Sequence, residues 1–457
     1  MNERFFIVGV AAASIAIVAI GLRIGAADEI RAAIVIGAPP PREGGRIAWQ
    51  VRTQDDDGHT RVAAALPITV TLRAHGTENV FHVATNVDGV AEIAADVPGF
   101  VFGDRVEIEV HDEQGGLLAR GVATWPSDKE KAKPAILEHA IARPSRSEGA
   151  LRMHVAVFGG ALAPGQPGRL WIRTEAAGES PRNPKIEVTP DLGLEVFSPY
   201  ASPRDALCAR AGSIELIARG HLGGVALHAK DDLGREGDWY GGIPIGAGAM
   251  HVLAPTTAEK GRLTISITSA SARSLAYVEL DDDAGRSEAI ALPLTGEPPH
   301  ADVTFHPRSN GRNFIVVSGE PDGAGTIVGA TRAVPIWIGP NAPCESDLAE
   351  VSAQSFPRFV ALDGFVEKKA ILAARRKRGR MIALAALALG SLLETLLLLR
   401  AAREGRKRLR QLQDAIVEGG DAPTPTSRTT ALDIVLVLML SLLGFALLFA
   451  LVEWTSR

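Results

Sequence analysis

Polar and apolar side chains alternate strictly along Arg105-Val106-Glu107-Ile108-Glu109-Val110, and again along Arg262-Leu263-Thr264-Ile265-Ser266-Ile267. Successive side chains of a β-strand point to opposite faces, so this alternation gives each segment one apolar face and one polar face. Similar alternation dominates residues 44–339. Gly, Pro, Asp or Asn interrupts it about every eight to twelve residues, a spacing typical of antiparallel sandwiches. The middle of the chain is therefore predicted to be all-β.

Two weak internal repeats predict how many sandwiches this region contains. The first repeat opens an alternating segment and occurs as Gly45-Arg46-Ile47, Gly168-Arg169-Leu170 and Gly261-Arg262-Leu263. The second lies between two such segments and occurs as Asp112-Glu113-Gln114-Gly115, Asp231-Asp232-Leu233-Gly234 and Asp282-Asp283-Ala284-Gly285. Asp tolerates tight turns and Gly supplies a positive φ angle, so the second repeat predicts three hairpin tips. We expect at least two of its three glycines to have positive φ.

Composition and charge exclude several classes of protein. A chain of 457 residues exceeds what one hydrophobic core usually organises, and 46% hydrophobic residues are too many for a disordered chain. The 48 basic residues are balanced by 53 acidic ones, which argues against a general nucleic-acid binder. Two cysteines are too few for a disulfide-rich scaffold.

Three apolar runs are long enough to cross a membrane, since about 20 helical residues span its hydrocarbon core. They are Phe5–Leu22, Met381–Leu399 and Ile434–Val452. The first run competes with a cleaved signal peptide, because Gly25-Ala26-Ala27 provides small residues suited to cleavage. For the other two runs, a buried core helix is the alternative.

The orientation of these runs is not decided by charge. The short N-terminal tail favours a cytoplasmic N terminus. This orientation places residues 28–370 outside the cytoplasmic membrane and residues 400–430 on its cytoplasmic side. Basic residues nevertheless flank both ends of the second run, at Lys368–Arg380 and at Arg400–Arg410.

Two segments of the middle region are similar to those of a known family. Ala163-Pro164-Gly165-Gln166-Pro167-Gly168-Arg169-Leu170-Trp171-Ile172-Arg173 and Thr85-Asn86-Val87-Asp88-Gly89-Val90-Ala91-Glu92-Ile93 are the two segments. The first resembles the Pro-Gly opening of macroglobulin-like domains of the α-macroglobulin family, and the second resembles another characteristic segment of those domains. The resemblance implies sandwich modules on the extracytoplasmic side. The thioester motif of the family is absent around both cysteines, and the bait and thioester-containing regions have no counterpart. The resemblance therefore does not imply trapping chemistry.

The predicted fold class is an ectodomain of tandem antiparallel β-sandwiches, immunoglobulin-like or macroglobulin-like, plus three transmembrane α-helices. The predicted segments are a membrane anchor or signal peptide at 1–27, sandwiches at 44–126, 150–248 and 249–340, a linker at 127–149, a helical basic stalk at 341–380, transmembrane helices at 381–399 and 432–453, and a basic cytoplasmic loop at 400–431.

Motifs of known chemistry are missing from the sequence. It has no Gly-x-Ser-x-Gly elbow, no His-Glu-x-x-His pair and no phosphate-binding loop. The acidic runs Asp55–Asp57 and Asp281–Asp283 offer oxygen atoms, but calcium requires six to eight of them, so solvated turns are the simpler interpretation. We predict no catalytic residue, no cofactor and no metal site.

Three features are candidate sites of another kind. Trp239-Tyr240 precedes a Gly-Gly pair and is a candidate exposed aromatic contact, with packing in the core as the alternative. Glu394 lies inside the second apolar run, where an ionisable group is costly, so it either reaches towards the membrane surface or contacts a partner helix. Cys208 and Cys344 form a candidate disulfide, provided that their Cα atoms lie within about 7 Å.

Together these observations predict a non-enzymatic, membrane-anchored protein of the cell envelope, with most of the chain on the periplasmic side of the inner membrane. Its sandwiches would bind or scaffold other envelope or membrane proteins, and its helices would contact the lipid bilayer. One alternative is a subunit of a membrane complex assembled through its transmembrane helices. A second is a membrane-bound hydrolase, which would need two perturbed carboxylates, or a carboxylate and a histidine, in one cleft.

Overall fold

The computed structural model describes most of the region between residues 30 and 417. The described ranges are 16–17, 30–41, 45–57, 60–126, 133–136, 143–191, 193–201, 211–246, 248–259, 261–321, 331–344, 347–348 and 354–417. The chain forms two compact units. One contains the sandwiches, at residues 31–55 and 61–365, and the other includes the helix that follows them.

The first sandwich contains eight strands from the start of this region. They are β1 (Ile30–Gly37), β2 (Arg46–Asp56), β3 (Arg61–Ala63), β4 (Pro67–Ala74), β5 (Thr77–Ala84), β6 (Val90–Asp96), β7 (Glu107–Asp112) and β8 (Leu117–Val122). In one sheet, β2 pairs with β1, β3 and β6, and the other sheet has the order β5-β4-β7-β8. Alternate residues of the facing strands fill the core, among them Trp49, Leu72 and Ile108.

The first sandwich is completed by a strand from the far end of the sandwich region. Strand β27 (Phe359–Asp363) pairs antiparallel with β1, so that Ile34 lies opposite Asp363 and Gly37 lies opposite Phe359. Because the pairing is antiparallel, the chain enters β1 and leaves β27 at the same end of the sheet. Nearby, β26 (Gln354–Ser355) pairs with β9 (Ala135–Ile136).

The second sandwich has two four-stranded sheets. Its strands are β10 (Arg146–Gly149), β11 (Leu151–Val157), β12 (Pro167–Ala176), β13 (Lys185–Asp191), β14 (Leu194–Ala201), β15 (Ala211–Ala218), β16 (Gly224–Lys230) and β17 (Glu236–Gly242). The sheet orders are β10-β17-β16-β13 and β11-β12-β15-β14. Leu170, Ile214 and Leu227 lie in the core between them.

The third sandwich pairs a small sheet with a five-stranded one. Its strands are β18 (His251–Leu253), β19 (Thr257–Ala258), β20 (Leu263–Thr268), β21 (Leu275–Asp282), β22 (Arg286–Pro293), β23 (His300–Phe305), β24 (Gly311–Ser318) and β25 (Thr331–Ile338). The sheet orders are β18-β20-β23 and β19-β25-β24-β21-β22, in which β19 runs parallel to β25.

A single long helix, α1 (Gly364–Val417), follows β27 directly. By length and composition it could cross a membrane, and it contains the predicted span at 381–399. The predicted stalk at 341–380 is wrong in its first part, because β26 and β27 precede the helix and α1 begins only at Gly364. The predicted loop at 400–431 is helical as far as Val417. The spans predicted at 1–27 and 432–453 lie outside the described residues, apart from residues 16 and 17.

The three predicted hairpin tips are turns, and the same pattern of hydrogen bonds stabilises all three. The first Asp of each motif, namely Asp112, Asp231 or Asp282, accepts two backbone N–H groups of the following turn through Oδ1. This is the Asx-turn geometry that favours Asp at such positions. Gly115 and Gly234 have φ angles of 81° and 75°, which confirms the prediction that at least two of the three glycines have positive φ.

Gly285, the third motif glycine, is required for a different reason. A Cβ atom at this position would lie 2.4 Å from the backbone of Pro40, which follows β1 in the first sandwich. The amide of the next residue, Arg286, donates a hydrogen bond to the carbonyl of Pro39 at 3.0 Å. The hairpin tip of the third sandwich therefore touches the first sandwich through backbone atoms.

Replacing Gly285 by Ala should push this tip away from Pro39 and Pro40, because neither contact atom belongs to a movable side chain. We expect faster hydrogen exchange at the Arg286 amide, measured by mass spectrometry on peptides that cover residues 280–290. Gly234→Ala is the matched control, since its Cβ would meet open space and only its positive φ is strained. Equal exchange at Arg286 in wild type and Gly285→Ala would contradict this explanation.

Candidate functional site between the first and third sandwiches

The outer face of β21 carries polar side chains that are buried. Residues Ala276, Val278 and Leu280 point into the core of the third sandwich. The alternating residues Tyr277, Glu279 and Asp281 face outwards, yet none of them is exposed. Arg286, which lies opposite Asp281 on β22, is only 1% exposed. A half-buried strand normally turns such residues towards water, so something must cover this face.

The cover is the outer face of the first sandwich. On β2, Trp49 and Val51 point into the core, whereas Gln50 faces outwards. On β6, Glu92 also faces outwards. The segment 85–93, which resembles a macroglobulin-like motif, supplies Asn86, Asp88 and Glu92 to this contact. Two polar sheet faces thus meet, and their side chains must satisfy one another.

Arg286 crosses from the third sandwich into the first. Its Nη2 donates to Glu92 Oε2 at 3.0 Å and its Nη1 donates to the carbonyl of Ala48 at 3.0 Å. On its own side, Nε lies 2.9 Å from Glu279 Oε2 as an ion pair. Glu92 and Glu279 are each only 5% exposed, so both pairs are removed from water. Such pairs must be complete, because a buried charge without a partner is strongly destabilising.

The network continues on both sides of Arg286. In the first sandwich, Gln50 Nε2 donates to Glu92 Oε1 at 2.7 Å, and Arg52 Nε donates to Gln50 Oε1 at 2.6 Å. Towards the helix, Arg358 pairs with Glu279 and donates to the carbonyl of Pro321. Arg358 lies just before β27, so the segment that leads into α1 takes part in the contact.

Tyr277 makes a second connection between the two sandwiches. Its hydroxyl donates to Asp88 Oδ2 at 2.6 Å and accepts from Asn86 Nδ2 at 3.2 Å. Burial raises the pKa of Tyr277, and the hydrogen bond to Asp88 raises it further. The phenol therefore stays protonated, and its hydroxyl continues to donate the hydrogen bond to Asp88.

Asp281 is the group of this contact that titrates near neutrality. Burial raises the pKa of its carboxyl from 3.8 to about 7, and nearby Asp282 adds to the increase. The charge of Arg286 and the backbone N–H of Phe356 act in the opposite direction. Burial also raises the pKa of Asp282. These are the paired perturbed carboxylates that a hydrolase would need, but they lie 1% and 5% exposed under protein, not in an open cleft.

The rim of the contact carries exposed ion pairs. Arg308 Nη1 lies 2.8 Å from Asp96 Oδ1, and Arg46 Nη1 lies 3.2 Å from the same oxygen. Pairs of this kind contribute about 0–1 kcal/mol each, so the buried groups dominate the specificity of the contact.

A different buried cation closes the junction between the second and third sandwiches. Arg332 is buried and donates to the carbonyls of Met250 and Phe158, at 3.1 and 2.8 Å. Burial, together with the charge of Arg332, lowers the pKa of neighbouring His251 to about 4. His251 is therefore neutral at physiological pH, and the second sandwich is tied to the third by carbonyl acceptors.

The two residues predicted to form an exposed aromatic contact lie on opposite faces of β17. Trp239 is a core residue of the second sandwich, so the prediction of an exposed contact is wrong for it. The reason is the alternation of β17, in which Trp239 points inwards and Tyr240 points outwards. Tyr240 is exposed, and the guanidinium of Arg143 lies 3.7 Å from its ring centroid.

The remaining predicted sites are local or lie outside the described parts. Asp55 pairs with Arg31 at 2.7 Å and Asp57 caps a turn at Thr60, so this acidic run does not converge on a common point. Among the described residues, no group of three or more His, Cys, Asp or Glu side chains could hold a metal ion. Glu394 lies within α1, but its side chain is not described. Cys208 lies outside the described residues, so its disulfide with Cys344 stays a prediction.

The sequence contains a signal for this contact that alternation alone does not reveal. Phe314-Ile315-Val316-Val317 and Ala333-Val334-Pro335-Ile336-Trp337-Ile338 are unbroken apolar runs in β24 and β25. Such runs indicate strands that are covered on both faces. They point to a buried outer face of the third sandwich, though not to the surface that covers it.

Comparisons with known proteins give only distant similarities. No family model and no curated protein matches the chain. Among solved structures, native α2-macroglobulin of Escherichia coli is 12% identical with a TM-score of 0.20, covering 69% of this chain and 23% of that one. Invasin, a bacterial integrin-binding protein, is 13% identical with a TM-score of 0.17, covering 68% and 60%. The Escherichia coli adhesin FdeC is 14% identical with a TM-score of 0.17, covering 69% and 99%.

The chain spans about a quarter of the length of the Escherichia coli α2-macroglobulin chains, at 23% and 24%. At these TM-scores the similarities carry no argument about fold or function. The architecture of this chain therefore stands on its own strands, which form several antiparallel sheets around three cores.

Removing the cation of the network should be far more damaging than removing a surface cation. Arg286→Met removes the cation that Glu92 and Glu279 share, so that Glu92 keeps only the hydrogen bond from Gln50 and Glu279 keeps only its pair with Arg358. This loss should cost about 3–5 kcal/mol. Arg312→Met is the matched control, because its pair with Asp283 at 2.7 Å is exposed and should be worth less than about 1 kcal/mol. Chemical denaturation monitored by tryptophan fluorescence measures the free energy of unfolding of both variants. Adding Glu92→Gln and Glu279→Gln to Arg286→Met should recover part of the loss, and equal effects of Arg286→Met and Arg312→Met would contradict the role of the network.

Asp281 should make the contact weaker as the pH rises. Its folded-state pKa of about 7 lies above the ordinary value of 3.8, so the folded state binds the proton more tightly. The stabilisation from this proton is complete below about pH 4 and is lost as the pH rises through 7. Asp281→Asn imitates the protonated carboxyl. The melting temperature of the variant relative to wild type should therefore increase between pH 5 and pH 8, and a constant difference would show that Asp281 does not titrate in this range.

Proposed function

We propose that this chain is a non-enzymatic scaffold of the cell envelope, anchored in the cytoplasmic membrane at both ends of its sandwich region. The observation that carries the proposal is the pairing of β27 with β1. This pairing brings the first strand after the N-terminal apolar run next to the last strand before α1. The pairing holds the two ends of the sandwich region side by side at one edge of a sheet.

The direction of this pairing supports insertion of both ends into one membrane face. The chain enters β1 and leaves β27 at the same end of the sheet, because the two strands are antiparallel. Only residues 23–29 separate the apolar run Phe5–Leu22 from β1, and seven residues span at most about 25 Å. The two apolar runs can therefore reach the same bilayer without crossing the sandwiches.

The buried contacts support a scaffold whose sandwiches hold fixed positions, in preference to sandwiches joined only by flexible linkers. Arg286, Tyr277 and Arg358 hold the third sandwich on the first, and Arg332 holds the second on the third. A fixed arrangement presents loops and strand edges at constant positions, which is what recognition of other proteins requires. Envelope or membrane proteins are the proposed partners.

The topology is tested directly by reporter fusions at Gly246 and Gly419. We expect alkaline phosphatase to be active when fused at Gly246, and green fluorescent protein to be bright when fused at Gly419, because the sandwiches lie outside and the end of α1 lies inside. The reciprocal fusions at the same positions are the controls and should be inactive. The reverse pattern at both positions would contradict the proposed localisation.

A further inference from the structure

Strand β5 forms one edge of the first sandwich. It is 8 residues long, and among the described residues it pairs only with β4. The register between the two strands runs without a shift from Pro67 opposite Ala84 to Ala74 opposite Thr77. A long edge strand without a bulge is prone to pair with another chain. The side of β5 that faces away from β4 is therefore open to an added strand.

Other edge strands of this chain carry a residue that discourages such pairing. Pro190 lies in β13, Pro199 lies in β14 and Pro293 ends β22. Proline has no N–H group to donate to a neighbouring strand. By contrast, β5 contains neither proline nor lysine, and Val80 in its middle is 48% exposed. The protection that proline gives to the other edges is missing from β5.

The hairpin between β4 and β5 determines which backbone groups point towards the open side. The turn His75-Gly76 has φ angles of 51° and 74°, as in a two-residue type I′ turn. Such a turn closes on a hydrogen-bonded pair, here Ala74 and Thr77, and bonded and non-bonded pairs then alternate along the strands. The amide of Thr85 donates to the carbonyl of Leu66 at 3.0 Å, in the phase that this alternation requires.

The residues of the opposite phase on β5 are Glu78, Val80 and His82. Their N–H and C=O groups point away from β4, because only alternate residues of a strand bond to the same neighbour. All three residues are exposed, so nothing covers this row of backbone groups. An extended peptide can pair with such a row and add a strand to the sheet.

The strand that already pairs with β5 shows which side chains complement it. On the outer face, Arg73 Nε donates to Glu78 Oε2 at 2.8 Å. On the inner face, Phe81 and Val83 pack against the core of the first sandwich and are only partly buried. A strand on the open side meets the same residues of β5. Apolar side chains on its inner face cover Phe81 and Val83, and a basic side chain on its outer face faces Glu78.

The charge of this sheet also favours a basic partner. Its four strands contain more carboxylates than guanidinium groups, namely Glu78, Glu107, Glu109 and Asp112 against Arg73 and Arg120. Arg73 is moreover shared between Glu78 and Glu109, at 2.8 and 3.5 Å. A second copy of β5 does not supply the cation, because the strand contains no lysine and no arginine. The complementary occupant is therefore a different protein.

We propose that β5 binds an extended segment of a partner protein as an added antiparallel strand, with apolar side chains on its inner face and a basic residue opposite Glu78. This inference rests on the proposed function, because it names one surface through which the scaffold holds an envelope or membrane protein. Backbone hydrogen bonds supply the affinity of such a complex, and the alternating side chains supply its specificity.

The test measures binding of a fluorescein-labelled peptide to the full chain in detergent by fluorescence anisotropy. The peptide has the sequence of β4, Pro67–Ala74, so in the register of β4 its arginine faces Glu78. The amide of the peptide residue equivalent to Thr71 then faces Val80, and methylation of this nitrogen should weaken binding at least about tenfold. Methylation at the residue equivalent to Val70 is the matched control, because that amide points to solvent and its methylation should leave binding unchanged.

Val80→Pro makes the same test on the protein. It removes a donor from the open side but leaves the pairing with β4, because the N–H of Val80 does not bond to that strand. Binding should weaken at least about tenfold, whereas Val80→Thr keeps the donor and should bind like wild type. Circular dichroism checks the fold of both variants, and the methylated peptides provide the test on unaltered protein.

A peptide with glutamate in place of its arginine tests the charge opposite Glu78. It should bind to wild type up to about fivefold more weakly than the original peptide, and Glu78→Lys should reverse this order. Equal binding of the two peptides to wild type would overturn the basic character of the partner. Equal affinity of the two methylated peptides would overturn strand addition itself.

Two further outcomes separate the proposal from its alternatives. Dimers of wild type in light scattering that are absent in Val80→Pro would overturn it, because a second copy would then occupy the edge. The reporter fusions at Gly246 and Gly419 test the proposed localisation without the peptide. The expected topology combined with no peptide binding would contradict the β5 site alone, whereas peptide binding combined with reversed topology would support the β5 site and contradict the localisation alone.

Discussion

The arrangement of the sandwiches depends on the burial of one cation. Arg286 has lost its water, and a guanidinium is tolerated in such a place only when carboxylates and carbonyls take over its hydrogen bonds. Glu279 comes from its own sandwich, whereas Glu92 and the carbonyl of Ala48 come from the first. Neither sandwich can satisfy Arg286 alone. Docking of the two is therefore a condition of a stable third sandwich with this sequence.

The same network reaches the segment that leads into the long helix. Arg358 pairs with Glu279, and the next five residues form β27 against β1 before α1 begins at Gly364. The closure of the first sandwich and its contact with the third therefore share one short stretch of chain. This explains why a strand of five residues, from more than three hundred residues away, completes the first sandwich. Its position is held by side-chain contacts as well as by strand pairing.

The hairpin motif shows how one sequence pattern can serve two physical needs. In all three tips the leading Asp accepts backbone N–H groups, which is a local requirement of the turn. At Gly115 and Gly234 the glycine supplies a positive φ angle, which is local as well. At Gly285 the absence of a Cβ atom allows the backbone of Pro40 to approach. The last reason is invisible in the motif, because it depends on another sandwich.

The sequence by itself determined the strands, the hairpin tips and the apolar segment of α1, because alternation, turn chemistry and length are local properties of a chain. It predicted Trp239-Tyr240 as one exposed aromatic contact, whereas the alternation of β17 places the two side chains on opposite faces. Only the tertiary structure decided that Tyr277, Glu279 and Asp281 are buried, and that β27 pairs with β1. The physical reason is the same in each case. A period of two separates the faces of a strand, but what covers the outer face depends on residues that are distant in sequence, and no local pattern encodes that partner.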